Sequence, residues 1–227
     1  MMRLVNPLLD PAPARLDNPL IMPESPGQPL PEPREYRLRD GTPLLVRPIH
    51  SDDKERLREI FQHLSPEARY QRFLHAISEL SDAQLRSLTE LDYHDHMAWL
   101  ALDPGQPELP AIGEARYIRV ASHPEVAEVA VTVVNAWQGR GVGTLLFRMV
   151  CKWATAHGVR TFRAYALESN DAMIRIFKDI GAHPVRHEEG VVALDMPVPA
   201  TSEELPDTPT GRAFREVARI SRQMRGS

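Results

Sequence analysis

The chain lacks most of what a secreted, membrane-spanning or nucleic-acid-binding protein needs. Cys151 is the single cysteine among 227 residues, which excludes an internal disulfide. Placed mid-helix, its thiol reads as a small buried hydrophobe rather than a reactive group. No apolar run comes near the roughly 18 residues that cross a bilayer. The N-terminus has no uninterrupted apolar stretch of the secretory kind, so the expectation is a cytoplasmic protein. Neither sign of charge dominates: 27 Lys and Arg face 31 Asp and Glu, for a net charge of −4. That balance argues against non-specific nucleic-acid binding, and no nucleic-acid or membrane partner is expected. Glycine is scarce at 12 residues, yet three glycines fall within five positions. The remainder is ordinary, 42% apolar and 26% charged, and the length suffices for one domain with a proper core.

The crowded glycines stand in Gln138-Gly139-Arg140-Gly141-Val142-Gly143-Thr144. Before them, Val126 to Val134 is rich in β-branched residues and suits a buried strand. After them, Val142, Leu145, Leu146, Met149, Val150, Trp153 and Ala154 recur at helical spacing as one apolar stripe. Glycine admits positive φ and close approach to the main chain. The free N–H groups and dipole of a helix's first turn then favour an anion, usually a phosphate. A Walker loop requires a lysine after its last glycine, and none follows Gly143. The dinucleotide fingerprint requires a third glycine where Thr144 stands, and Arg160 to Ala166 supplies no ribose-binding carboxylate. The pattern Gln/Arg-x-x-Gly-x-Gly/Ala fits from Gln138 to Gly143 at every fixed position. A turn that merely lets helix and strand pack closely is the plainer alternative.

That last pattern is the acyl-CoA pyrophosphate loop of the GNAT N-acetyltransferases, and the flanks strengthen the resemblance. The run Asn170-Asp171-Ala172-Met173-Ile174-Arg175-Ile176-Phe177-Lys178-Asp179-Ile180-Gly181-Ala182 resembles the family's segment Asn-x-x-Ala-x-x-x-Tyr-x-x-x-Gly-Phe, which closes the other half of the CoA site. Asn170 suits a helix cap, Met173, Ile176, Phe177 and Ile180 an expected buried stripe, and Gly181 the residue after the helix end. More narrowly, Arg39 to Ile49, Leu64 to Phe73 and Ala127-Glu128-Val129-Ala130 resemble the acetyltransferase domain of bacterial protein lysine acetyltransferases of the Pat type. In that group the domain is often fused to an acyl-CoA-synthetase-like or cyclic-nucleotide-binding domain, and neither fits within these residues. The resemblance implies an α/β GNAT fold, with a mixed central sheet whose parallel strands 4 and 5 splay apart, flanked by helices.

Along the chain, residues 1–34 hold nine of the 21 prolines and read as a flexible arm. Residues 35–198 read as the acetyltransferase domain, and 199–227 as a linker with a basic helix over Gly211 to Arg225. Tyr36 to Arg39 and Leu44 to Ile49 suit a hairpin about Asp40-Gly41. Helices are expected from Ser51 to about Leu64, from Ser65-Pro66-Glu67 onward, and from Ser81 to about Leu91. Strands are expected at Met97–Leu102, Ala111–Val120, Val126–Val134, Thr161–Leu167, His183–His187 and Val191–Met196. Periodicity alone supports only a mixed α/β sheet.

The resemblance implies transfer of acetyl from acetyl-CoA, as co-substrate and without a metal, to an amine. The diphosphate would rest on Gln138, Gly139, Arg140, Gly141, Val142, Gly143 and Thr144, with Asn170 closing the site. The pantetheine arm would pair like an added strand with Val133 and Val134, and a strand N–H near Val131 would meet the oxyanion. A lysine amine, with a pKa of about 10.4, must shed a proton before attack. Glu128 is the expected base: it stands in an apolar strand, where a lone carboxylate is costly unless useful, and burial raises its pKa toward the useful range. In the Pat-type group the matching glutamate is assigned that role. An edge glutamate in a salt bridge is the alternative, and Glu114 is the reserve. The family's tyrosine acid falls at Phe177, which donates no proton; Tyr165 is a weak substitute. His94, Asp95 and His96 read as a polar loop rather than metal ligands, and His183 and His187 as surface residues. Arg69, Tyr70, Arg72 and Phe73 either touch the acceptor or cover the sheet. Three functions stay open: a protein lysine acetyltransferase, a small-amine acetyltransferase, and a non-catalytic acyl-CoA-binding regulatory module. The chain is expected as a monomer or homodimer.

Overall fold

The computed structural model describes residues 29–74, 76–106, 111–188, 190–199, 201, 204–212 and 215. Most of the N-terminal arm and of the basic C-terminal helix lie outside them. Eight strands form one sheet in the order β1-β2-β3-β4-β5-β6-β8-β7. They are β1 (Arg34–Arg37), β2 (Pro43–Pro48), β3 (His96–Leu102), β4 (Gly113–Val120), β5 (His123–Val133), β6 (Thr161–Leu167), β7 (His183–Glu188) and β8 (Val191–Pro197). All neighbours pair antiparallel except β5 and β6, which run parallel. The helices are α1 (Lys54–Gln62), α2 (Pro66–Phe73), α3 (Asp82–Thr89), α4 (Val142–Ala156) and α5 (Asp171–Asp179). Among the described residues no helix is long and apolar enough to cross a membrane.

Local chemistry sets the boundaries. Leu38 N–H bonds Thr42 O across the first hairpin, and Gly41 takes φ +82° in its turn. Ser65 accepts from Ala68 N–H with Pro66 at the first turn of α2, and Ser81 caps α3 through Gln84 N–H, both as the spacing predicts. Ser51 does not cap α1. Residues Ser51–Asp53 form a separate 3-10 turn, and Asp53 takes the His50 N–H and the Arg47 guanidinium instead. A fully paired carboxylate displaces a weaker hydroxyl cap. Burial pushes the Asp53 carboxyl up, but those partners outweigh it and hold its pKa below the usual value. At the other end of the chain, Gly181 (φ +100°) ends α5, with Ala182 N–H on Phe177 O and Gly181 N–H on Lys178 O.

Alternation assigns the two faces of the sheet. A Cβ on Gly143 would lie 3.5 Å from Val131 and Val133, so the odd-numbered side chains of β5 face α4. Arg72 of α2 reaches Thr132, so Glu128, Ala130 and Thr132 face α2. Phe162 packs on Phe147 of α4, which turns Arg163 and Tyr165 of β6 to the Glu128 side. Leu146, Phe162, Leu100 and Met97, each fully buried, lie in the core that this sheet and its helices share.

Candidate active site

The parallel pair that the fold joins at its centre is short. β5 and β6 register only at Val126↔Thr161, Ala127↔Phe162 and Glu128↔Arg163. Beyond Glu128, β5 stays paired with β4 through Val133 but parts from β6. Val134 N–H bonds Ile112 O, on the β4 side. By the alternation of an antiparallel ladder, Val129, Val131 and Val133 therefore turn their backbone groups into the gap. This corrects one expectation: Val134 has no free N–H for an added strand, whereas Val133 and Val131 offer theirs. The Val133 carbonyl accepts from the Gln138 side-chain amide at 3.1 Å.

A cavity of about 1010 Å³ lies along that gap. Its walls include Val131, Val133, Gln138, Gly139, Arg140, Gly141, Gly143, Thr144 and Asn170, together with Glu128 and Tyr165. Most residues that the motif singled out thus meet at one place, although Val142 is 1% exposed and belongs to the core. Gly139 (φ +72°) and Gly141 (φ +94°) hold left-handed backbone, and a Cβ on either would meet nothing within 4 Å. Conformation, not crowding, demands glycine there. No side chain caps the N-terminus of α4, and its first turn has no acidic residue. Gly141, Gly143 and Thr144 at that turn line the cavity, the place a diphosphate held by first-turn amides would need.

Arg140 is held more firmly than a free phosphate cation. It bonds Asp40 at 2.7 Å and Thr42 at 2.8 Å, and lies over the Trp137 ring at 4.2 Å. The first hairpin thereby fixes the loop. Asn170 caps α5 through Met173 N–H, which commits its amide oxygen, and the residue lines the cavity. The expected buried stripe of α5 is overturned in part. Ile180 is buried, but Met173 and Ile176 are 36% and 40% exposed. They line the cavity with Phe177, so the helix turns part of its apolar side to a ligand space, while Ile180 and the half-buried Phe177 pack on the core.

Glu128 is 7% exposed. Its Oε1 accepts from Tyr165 Oη at 3.3 Å, and its Oε2 is buried with no partner. Burial pushes its pKa up to about 7, against smaller downward pulls from the Tyr165 hydroxyl and Arg163. Burial likewise takes Tyr165 up to about 12. Arg163 is itself clamped by both Asp195 oxygens, at 2.7 and 2.8 Å. A cavity-lining carboxyl with a pKa of about 7 and one unpartnered oxygen is chemically a proton acceptor near neutrality.

Glu114 is no reserve base. Its Oε1 takes Arg72 Nη2 at 3.0 Å and Thr132 Oγ1 at 3.2 Å, and its Oε2 takes Arg116 Nε at 2.9 Å. Burial raises its pKa, but Arg116 and Arg72 prevail and keep it below the usual value. His96 is not a polar loop residue either: it opens β3 with Nε2 at 3.1 Å from Arg116 Nη1. Burial and that cation drive its pKa well down, so it stays neutral. The Leu64–Phe73 segment divides. Arg69 secures Leu64 O and Gln62 O, Phe73 is buried, Tyr70 is 45% exposed, and Arg72 reaches the cavity. Sequence reading missed the Arg72–Glu114–Arg116 cluster, since Arg72 reaches Glu114 across 42 residues of chain and Thr132 across 60. His183 lies on the exposed strand β7, and His187 meets Glu168 at its surface, as expected.

The model of the acetyltransferase (GNAT) domain family matches residues 43–183. The chain is 35% identical over 167 residues to the acetyltransferase Pat of Mycolicibacterium smegmatis, covering 74% of this chain and 49% of that protein. It therefore spans about half the length of that relative. An acetyltransferase of Pseudomonas aeruginosa is 36% identical over 136 residues, which is 60% of this chain and 73% of that one. Among solved structures, the GNAT domain of S. lividans PAT superposes with a TM-score of 0.66 at 35% identity, over 73% of this chain and 96% of that one. A cAMP-binding acyltransferase from Mycobacterium smegmatis gives a TM-score of 0.53 at 31% identity, over 83% and 54% of the two chains. With the splayed strands, the glycine loop and the matched model in agreement, the chain belongs to the GNAT acetyltransferase family.

Proposed function

We propose that this chain transfers the acetyl group of acetyl-CoA to the side-chain amine of a protein lysine, with Glu128 as general base. The likeness to Pat acetyltransferases supports a protein acceptor. The observation that carries the base assignment is the unpartnered Glu128 Oε2, buried at the splayed gap on a carboxyl with a pKa of about 7. The diphosphate of the co-substrate rests on the open amides that begin α4 and the pantetheine pairs with the free edge at Val133. The thioester carbonyl oxygen then meets the Val131 N–H, which steadies the charge it gains during attack. Glu128 takes a proton from the acceptor ammonium. The freed nitrogen bonds the carbonyl carbon, the C–S bond breaks, the nitrogen gives up its second proton to water or to the departing sulfur, and CoA leaves as thiolate or thiol. With a thiol pKa of about 8.5, that thiolate departs or is protonated by water without a dedicated acid, consistent with phenylalanine at position 177.

The test is acetylation of lysine peptides and candidate proteins followed by mass spectrometry, with wild type and Glu128→Gln compared at saturating substrate. The variant is expected to lose about 100-fold or more in kcat. It should also lose the rise of kcat/KM through pH about 7 that ionisation of the wild-type carboxyl produces. An unchanged, chemistry-limited rate removes Glu128 from the mechanism. Uptake of acetyl-CoA with turnover of small amines alone transfers the acceptor to that class, and uptake with no turnover of any acceptor makes the chain a binding module.

A further inference from the structure

Beside the gap lies a buried charge cluster that the chemistry above leaves unused. Arg116 is 1% exposed, Glu114 is 5% exposed, and the Arg72 side chain is 8% exposed. Two guanidinium groups thus share one carboxylate, whose two oxygens are already taken. Neutral His96 brings no compensating charge. Arg116 Nη1 donates to Leu88 O and meets His96 Nε2. Arg72 donates through Nε to Thr132 Oγ1 at 2.7 Å and through Nη2 to Glu114, while its Nη1 is buried without a partner. The cluster carries one uncompensated positive charge, and an unpaired buried charge is strongly unfavourable unless a ligand completes it. Arg72 forms part of the α2 wall of the cavity.

Resting on the acetyl-transfer reading, we infer that Arg72 Nη1 receives a carboxylate that a reactant carries into the cavity. Glu128 does not fill that place. Tyr165 and Arg163 are the partners it feels, not Arg72, and Thr132 lies four residues farther along β5, roughly 13 Å at strand rise. A neutral carbonyl would satisfy the N–H but leave the charge. A carboxylate answers both, and the planar guanidinium fork suits it. Two sources present the same chemistry. One is an acidic side chain two or three residues from the target lysine, within reach of both Glu128 and Arg72. The other is the far carboxylate of a dicarboxylic acyl thioester, since Thr132 adjoins Val131, where the thioester carbonyl sits.

The experiment uses the full chain and two pairs of probes. Lysine peptides with a flanking Glu are compared with the same peptides carrying Gln, using acetyl-CoA as donor. Succinyl-CoA is compared with butyryl-CoA on one peptide. In parallel, calorimetry reads binding of both thioesters, and of both peptides to the CoA-loaded protein. Wild type is expected to favour the acid-bearing probe about tenfold or more in one pair, the size of one hydrogen bond to a charged group. The pair that responds identifies the source. Arg72→Gln should abolish the preference, and Arg72→Lys should restore part of it. Wild type that is indifferent in both pairs, by turnover and by binding, overturns the inference. Absence of all acetyl transfer overturns the functional reading instead, while the binding arms still decide about Arg72.

Discussion

Glu128 holds its carboxyl where folding and catalysis oppose each other. Its pKa stands at about 7 in the folded protein against an ordinary 4.5. A raised carboxyl pKa means the folded state favours the proton. That contribution is whole below pH 4.5 and is lost as pH rises to about 7, in total about 3 kcal/mol. Glutamine keeps the shape and never ionises. Glu128→Gln should therefore gain about 2–3 kcal/mol over wild type between pH 5 and pH 8, read as denaturant midpoints at the two pH values. An equal gap at both would mean the carboxyl is not desolvated. The Tyr165 hydroxyl pulls the Glu128 pKa down through its 3.3 Å hydrogen bond. Tyr165→Phe should then move the acidic limb of the kcat/KM profile to higher pH while leaving turnover at alkaline pH. A large loss at every pH would instead make the hydroxyl a proton carrier.

At the scale of elements, what can be read from the chain is what rests on neighbours in sequence. Ser65, Ser81 and Asn170 cap their helices because each needs only an N–H three residues on. The β5–α4 junction shows itself because Gly139 and Gly141 answer a local demand for positive φ. Gly141→Ala puts a Cβ into left-handed backbone, at about 1–2 kcal/mol. Relaxing that strain tilts the first-turn amides, so its KM for acetyl-CoA should rise by more than its kcat falls. Equal KM values would show that these amides do not hold the diphosphate. What rests on register is not legible, because one residue of slip exchanges the faces of a strand. Helical period marks the apolar side of α5 but not that a cavity covers it. It likewise gives no sign that Val134 N–H is spent on Ile112, or that Arg72 finds Glu114 rather than solvent. The charged group predicted to work, Glu128, was visible as an intruder in an apolar strand. The polar cluster beside it was visible only as scattered Arg and Glu.

For the whole molecule, the consequence of the splay is that one sheet is weakest where it must work. β5 and β6 share three register pairs, whereas β4 and β5 share eight. Past Glu128 the two strands are linked by no sheet hydrogen bonds, and α4 and α5 begin on opposite sides of the opening. The C-terminal segment leans on that second half. Leu205 is buried, and Thr208 and Thr210 bond Asp179 at the end of α5. A ligand that pairs with the free edge of β5 and touches α5 replaces contacts the sheet does not make. Such a ligand binds the folded state alone, so its stabilisation follows mass action, about 2.7 kcal/mol at 100 times Kd. For a domain of this size each kcal/mol moves Tm by about 2–4 °C, and CoA at that excess should raise Tm by about 5–10 °C. Amide exchange should slow most at Val131, Val133 and the first turn of α4, beyond the slowing that β1 and β2 gain from global stabilisation alone. A Tm that ignores CoA, or protection spread evenly over the sheet, would mean that the gap between β5 and β6 is not where this molecule holds its co-substrate.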